Sequence, residues 1–458
     1  MFWNKKEKTI TNNNIVILGG GFSGLSIGIK LLKKGFNVTI VEKEDRLGGK
    51  LEFSNNINVY PKYIYEYDKL ISYLNELGLK NDCVLRYNKK ILVYDFYGNE
   101  IILPSSFYEL QKYLNLNSID DDKKIKQLLD LIKKENNIEK TLLKYNSISI
   151  NDYFEKFNSK NIKNLFYSLM DNDFSMSMLI EFLYNYYNSQ EAIINNNIIK
   201  QMVDVYNELG GKTILNTNVL KINFDLPNHA NEIETDNKKI EFDYLISTID
   251  PKCLYLDLLK SKFNDRKFIL RYEDFINYNV DSRLIFTYKS KEEVLFDNIN
   301  IEVDDLNILS KKVKYLRFVR SNEDKSIVYC SIRINHNDYD YLNIISKNKN
   351  VYQKTLNNIN QIIIDEFKKK NEDYIIKLLS ITNPMDFLKK YNSYKGSLKG
   401  FLKLPKSTPM ICDCIINSLK NVFNCSSWNY LDGGILNSLI YIDQNLDKIE
   451  KVIKNEKK

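Results

Sequence analysis

Residues 15–50 read IVILGGGFSGLSIGIKLLKKGFNVTIVEKEDRLGGK, and no other stretch constrains the fold of this chain so tightly. An apolar run from Ile15 to Leu18 has the character of a buried strand and leads into Gly19-x-Gly21-x-x-Gly24. An apolar helix follows to about Lys34, Gly35 stops it, and Asn37 to Val41 form a second strand. This is the opening of a βαβ unit, the context in which a G-x-G-x-x-G pattern carries meaning. Gly19 permits the tight turn, and Gly21 lets the backbone approach a pyrophosphate with no Cβ in the way. Gly24, with Gly28 one turn later, lets the helix pack close to the sheet. The helix opening at Phe22 and Ser23 then offers unpaired N–H groups and a positive dipole end to phosphates. Glu42 ends the second strand at the distance from the glycines where a carboxylate meets an adenosine ribose. A glutamate there disfavours a 2′-phosphate, so the pattern predicts a dinucleotide site that is not an NADP site.

Composition sets the outer bounds. At 458 residues the chain exceeds one ordinary core and predicts two domains, interleaved in sequence. With 43% hydrophobic and 27% charged residues it reads as globular. Its 32 Tyr and 23 Phe accompany heavy use of Lys, Asn and Ile, all with A/T-rich codons, so aromatic abundance alone does not argue for a pocket. The net charge of +7 arises from 66 basic and 59 acidic residues that are well interspersed. No basic stripe of the nucleic-acid-binding kind is present, and nucleic acid is not an expected partner. Six scattered cysteines (Cys83, Cys253, Cys330, Cys412, Cys414, Cys425) read as free thiols of an intracellular protein, and no metal site is expected. Two histidines, His229 and His336, in polar surroundings disfavour a Ser-His-Asp enzyme. The N-terminus MFWNKKEKTITNNN lacks an apolar signal region, and no apolar run approaches the ~18 residues needed to span a bilayer. The expected location is cytoplasmic, at most peripheral to a membrane surface.

Further along, residues 53–204 read as mostly helical, interrupted by a strand pair around a turn at Gly98. VDVYNELGGKTILNTNVLKINFD reads as helix, Gly-Gly stop, strand and strand, and Tyr244 to Thr248 as a buried parallel strand. Residues 256–414 return to mixed strands and helices, and NVFNCSS is a strand before a helix that starts directly after Gly433-Gly434.

After Glu42 and Lys43 come Arg46, Gly48, Gly49 and Lys50. They resemble the R-x-G-G-[RK] segment of the flavin-dependent amine oxidase and carotenoid desaturase superfamily. The resemblance implies FAD as the cofactor, with this segment near its adenosine and pyrophosphate. The closing segment NVFNCSSWNYLDGGILNSLIYI is similar to the family's own end. It implies that Gly433, Gly434 and Ile435 point N–H groups at the pyrimidine end of the flavin, where a helix N-terminus favours negative charge. Ser426-Ser427 stands where the family has Gly-Asp, so Ser427 replaces an aspartate contact to the ribitol. LGGKTILNTNVLKI resembles the strand whose backbone, here near Val219, meets the adenine. The order of segments is most similar to the phytoene (carotenoid) desaturases and retinol saturases. DYLISTIDPKCLYLDLL carries their proline as Pro251, and NPMDFLKKYNSYKGSLKGFL carries Pro384, Asp386, Asn392, Gly396 and Gly400 of a late family segment. Two family segments are altered: VYPKYI keeps only Pro61, and AIINNN (Ala192 to Asn197) replaces a Tyr-Pro-x-Gly-Gly stretch.

The implied fold is α/β: a Rossmann-like FAD-binding domain from residues 1–55, 205–255 and 415–458, with an inserted α+β substrate or cap domain from 56–204 and 256–414. The implied reaction is removal of hydride from a long apolar, isoprenoid- or carotenoid-like substrate to flavin N5. Electrons would leave to a quinone or oxygen, because no second G-x-G-x-x-G seats NADPH. No paired carboxylates or nucleophile-base pair emerges, so the catalytic residues are unassigned and the flavin carries the chemistry. Two alternatives stand: an amine or porphyrinogen oxidase, for which Trp428 with Tyr430 is the local candidate for an aromatic pair, and a lipid-binding escort without FAD. Leu165 to Ser189 read as one helix bearing Met170, Phe174, Met176, Met178, Phe182 and Tyr186. It is either a tunnel or membrane-facing wall for a long apolar substrate or, favoured here, a buried cap helix in which Met fills gaps.

Overall fold

A computed structural model describes residues 11–455 except 52–62, 88–89, 96, 134–136, 196, 264, 276, 408–410 and 431–432. The expectation for Pro61 lies outside the described residues.

Three stretches of chain build one five-stranded parallel sheet. They supply β1 (Thr11–Leu18), α1 (Phe22–Lys33), β2 (Phe36–Val41), α2 (Asn197–Glu208), β3 (Lys212–Ile214), β4 (Tyr244–Ser247), β5 (Val422–Asn424) and α3 (Ile435–Asn455). The strand order is β5-β4-β1-β2-β3. Ile15 pairs with Tyr244 on one side and with Val38 on the other, Thr39 with Lys212, and Leu245 with Val422, all in parallel. Helices cover one face of this sheet and further chain the other, so its central strands carry continuous apolar runs and Ile15 to Leu18 are buried. On one face α1, α2 and α3 pack into a single core with Leu25, Ile29, Met202, Tyr206, Leu439 and Ile449. Gly28 permits this approach: a Cβ there would lie 3.0 Å from the Tyr206 ring. On the other face a three-stranded antiparallel sheet contributes Ile222, Ala230 and Ile233. Because the connections leave β1 in opposite directions, to β2 and towards β4, a crevice opens beyond its carboxyl end.

The remaining chain is α+β. A seven-stranded mixed sheet is backed by the helix Lys349–Lys370, and a helical cluster packs around Phe154, Phe166 and Leu179. Residues 53–204 hold more strand than expected, because Glu191–Ile194, which overlaps the start of the altered AIINNN region, is the middle strand of a small antiparallel sheet. The single helix expected over Leu165 to Ser189 is in fact two, Lys160–Leu169 and Met176–Asn188. Tertiary charge imposes the break. Asp171 accepts from Lys311 at 2.5 Å, Arg317 at 2.7 Å and Arg333 at 2.8 Å, and Ser175 caps the second helix. Among the described residues no helix is long and apolar enough to cross a membrane.

Candidate cofactor and active site

The two glycine segments of the opening motif lie against each other. Gly48 N donates to Gly20 O at 2.9 Å, and Gly21 and Gly48 form a parallel bridge. Gly19 adopts φ +94°, and a Cβ on Gly24 would lie 2.0 Å from Gly19 O. That position admits only glycine if helix and loop are to keep their distance. A Cβ on Gly21, by contrast, would meet nothing closer than Gly49 Cα at 3.9 Å and would stand in the cleft. At the start of α1, Gly21 supplies no side-chain cap and no acidic residue lies in the first turn, so the helix presents bare amides and its positive end.

Glu42 does more locally than expected. One carboxylate oxygen accepts from Gly20 N at 2.7 Å and the other from Glu44 N at 3.0 Å, so the side chain braces the glycine loop. Each oxygen keeps lone-pair capacity for a further donor. The backbone of Glu42 is held by Ile214 O and Thr217 N, which brings Thr217, Asn218 and Val219 alongside.

These elements surround a cavity of about 680 Å³, within the range of ligand sites. Gly19, Gly21, Phe22, Ser23, Glu42, Lys43, Arg46, Gly48, Gly49, Lys50, Val219, Ser427, Gly433, Gly434 and Ile435 all line it. Gly24 does not; it is a packing glycine. Gly433 and Gly434 take φ +72° and +95°, and a Cβ on Gly434 would meet nothing within 4 Å. Ser427 sits in a short turn in which Ser426 Oγ accepts from Trp428 N at 3.3 Å. Trp428 lines the cavity but packs edge-on against Phe401 at 5.1 Å, whereas Tyr430 faces Tyr441. The two rings therefore do not form the flanking pair that an amine oxidase reading anticipated, because the turn at Ser427–Asn429 sends them to different neighbours.

Of the polar end of the cavity, sequence reasoning found Lys50 but not its neighbours. Lys50 meets Asp250, Asp281 and Arg283 there, from positions scattered along the chain. Burial pulls the Lys50 ammonium down to about 8, against the attraction of Asp250 and Asp281. Burial raises Asp250 even though it accepts from Tyr394 N at 2.7 Å and Lys252 N at 2.9 Å. Burial also acts on Asp281, but Arg283, at 2.6 Å, together with Lys399 and Arg333 outweighs it and holds the carboxyl below its usual range. For those neighbours the sequence signal was indirect: Asp250 directly precedes Pro251, and Asn392 belongs to the late segment already singled out.

The opposite wall comes from the broken helix and the small sheet: Ile64, Tyr65, Met170, Met178 and Phe182, with Glu66, Glu181 and Asn185. Met176, Leu179, Ile180 and Leu183 of the same helix are buried in the core. One face of this helix is therefore buried, as the cap-helix reading has it, and the other lines the cavity. Glu181 is paired with Lys403 at 2.6 Å and Glu66 with Lys69 at 3.3 Å.

The residues present fit an FAD. Gly21 and Gly434 leave space that a Cβ would fill, a bare helix N-terminus suits a pyrophosphate, and Glu42 retains acceptor capacity for a ribose. A family model described as flavin containing amine oxidoreductase matches residues 22–305. The chain is 42% identical over 72 residues to a 4,4′-diapolycopen-4-al dehydrogenase of Metabacillus indicus, a match covering 15% of each protein. The chain thus spans about a seventh of the length of that relative. In fold it is similar to an oxidoreductase from Methanosarcina mazei (TM-score 0.64, 14% identity, 94% of this chain and 100% of that one). It is also similar to a putrescine oxidase (TM-score 0.56, 14% identity, 97% and 99%).

Proposed function

The chain belongs to the flavin-containing amine oxidoreductase family, and from that premise we propose that this FAD-dependent oxidoreductase oxidises a long apolar substrate of isoprenoid or carotenoid kind. The observation that carries this reading is the cap-side wall of the cavity, where Met170, Met178 and Phe182 stand with Ile64 and Tyr65. Flexible thioethers and an aromatic ring suit a long, methyl-branched apolar chain with no hydrogen-bonding groups to satisfy. The two carboxylates on that wall already have ammonium partners, which lowers their attraction for a substrate cation.

The same proposal assigns roles to this chain's residues. The first-turn amides of α1 and Arg46 bind the pyrophosphate, Glu42 the ribose, Val219 the adenine, and Ser427 the ribitol. Gly433, Gly434 and Ile435 turn backbone amides towards the flavin ring, with the positive end of α3 behind them. FAD, when bound, supplies the hydride-accepting N5. Lys50 and Asp250 are groups able to hold a proton at the polar end. The division into a cofactor half (1–55, 205–255, 415–458) and a cap half, a quinone or oxygen as final acceptor, and docking at a membrane surface belong to the same proposal.

A second reading, amine oxidation, is supported by the family model itself, which matches residues 22–305. One experiment separates the readings. The purified protein is expected to be yellow, and anaerobic mixing with polyenes rather than mono- or diamines is expected to bleach it. Bleaching by amines alone moves the assignment to the second reading. A preparation that is colourless as purified, and again after FAD is added and the unbound FAD removed, overturns both and leaves a lipid-binding escort.

A further inference from the structure

Residues 392–400 follow the helix Pro384–Tyr391 and run as a strap along the polar end of the cavity, where Asn392, Ser393, Leu398 and Lys399 line it. The strap's shape is not one its own residues prefer. Asn392 and Lys395 take φ 50° and 48°, in the left-handed region, and a Cβ on Gly396 would lie 2.1 Å from Pro384 O. Contacts from remote segments hold it in place. Tyr394 N donates to Asp250 at 2.7 Å, and Leu398 N donates to Asp281 O at 2.9 Å. From the other side of the cleft, Lys50 Nζ donates to Ser393 Oγ at 2.8 Å and to Ser397 O at 2.6 Å. Ser393 Oγ in turn donates to Ser397 O at 2.8 Å, so the ammonium grips both ends of one turn. At its far end the strap reaches the second glycine pair, with Lys399 O 2.9 Å from where a Cβ of Gly433 would stand.

Burying an ammonium is costly unless its partners are well placed. The βαβ core does not require Lys50 to turn inward, since Lys50 lies beyond β2 and outside the sheet. We propose that Lys50 is a positioning residue: it latches the 392–400 strap to the RLGGK turn, and so fixes the separation of the two walls between which FAD is held. This rests on reading the cleft as the FAD seat, and it differs from a direct Lys50–phosphate contact because the lysine acts through Ser393 and Ser397. The burial that pulls its pKa to about 8 agrees with an ammonium enclosed between two walls.

The test uses the flavin-loaded protein and two readouts: FAD release, followed as flavin fluorescence after dilution, and trypsin cleavage after Lys395 and Lys399, read by mass spectrometry. Lys50→Met is expected to speed release about tenfold, the equivalent of one charge-assisted hydrogen bond, and to speed strap cleavage with it. Lys50→Arg, which keeps the donors, is expected to restore both. Faster release with unchanged cleavage would mean that Lys50 touches the cofactor directly, and overturns the latch. No change in either readout also overturns it. If Lys50→Met does not fold, Ser393→Ala removes one acceptor and is expected to move both readouts the same way by less; if both stay put, the latch is refuted. A wild-type protein that takes up no FAD would sink the cofactor reading, while strap cleavage in Lys50→Met against wild type still tests the latch.

Discussion

Gly21 and Gly24 stand three residues apart and answer to different constraints. A Cβ on Gly21 points into open space beside Gly49, so Gly21→Val is expected to fold normally and to lose FAD uptake; a variant that stays fully loaded contradicts the seat. A Cβ on Gly24 meets a backbone carbonyl at 2.0 Å, so Gly24→Ala is expected to cost about 1–3 kcal/mol of stability in the apo-protein, read by denaturant unfolding. Glu42→Ala removes the acceptor that braces Gly20 N as well as the proposed ribose partner. At roughly 1.5–3 kcal/mol per charge-assisted bond, FAD binding is expected to weaken ten- to a hundredfold, measured by titration of apo-protein. Lys50 gives a pH signature. Its folded pKa, about 8, lies below the ordinary lysine value, so the folded state binds fewer protons than the unfolded state between those two values. Stability from this group is therefore lowest below pH 8 and rises through the window above it. Lys50→Met is expected to lack that rise when unfolding free energies are compared at pH 7.5 and 10.

At the scale of elements, the break between Lys160–Leu169 and Met176–Asn188 shows a local preference overruled. The apolar spacing from Leu165 to Ser189 favours continuous helix, yet Asp171 is drawn out to three cations on the neighbouring sheet. Arg317 also donates to Ser168 O at 2.9 Å, and so ends the first helix. Burial acts to raise Asp171, but Lys311, Arg317 and Arg333 outweigh it and hold the carboxyl well below the usual range. A depressed carboxylate stabilises the fold above its unfolded pKa and loses that contribution as pH falls through the folded one. Asp171→Ala removes the carboxylate shared by Lys311, Arg317 and Arg333, of which Arg333 keeps Asp173, and is expected to cost about 1–3 kcal/mol near neutral pH, with the difference from wild type shrinking below pH 4. Equal stability of the two proteins at pH 7 would show that the ion pairs contribute nothing net. The break also sets Met170 at the cavity wall, a placement that helix periodicity could not reveal because the cause lies some 140 residues further along the chain.

For the whole molecule, both ends of the chain meet in one sheet. β4 lies between β1 and β5, and buried Lys30 of α1 reaches Asp443 of α3 at 2.7 Å. A chain ending at residue 414 loses β5 and α3, bares the edge of β4 and uncovers a face of α1. It is expected to aggregate and to take up no FAD; a soluble, monomeric product on size-exclusion chromatography would contradict the interleaved architecture. The opening βαβ unit, the glycine seat, Glu42, the RLGGK turn and the Gly433-Gly434 helix start were legible in the sequence. Each depends on residue types at short spacing, where backbone sterics and helix-end chemistry act locally. Tertiary structure alone decided which distant segments face one another. It brought Lys50, Asp250, Asp281 and Ser393 to one end of the cavity, divided the Met-rich helix between core and cavity wall, and sent Trp428 and Tyr430 to different neighbours. Those outcomes rest on burial and charge pairing between residues hundreds of positions apart, and spacing along the chain carries no record of them.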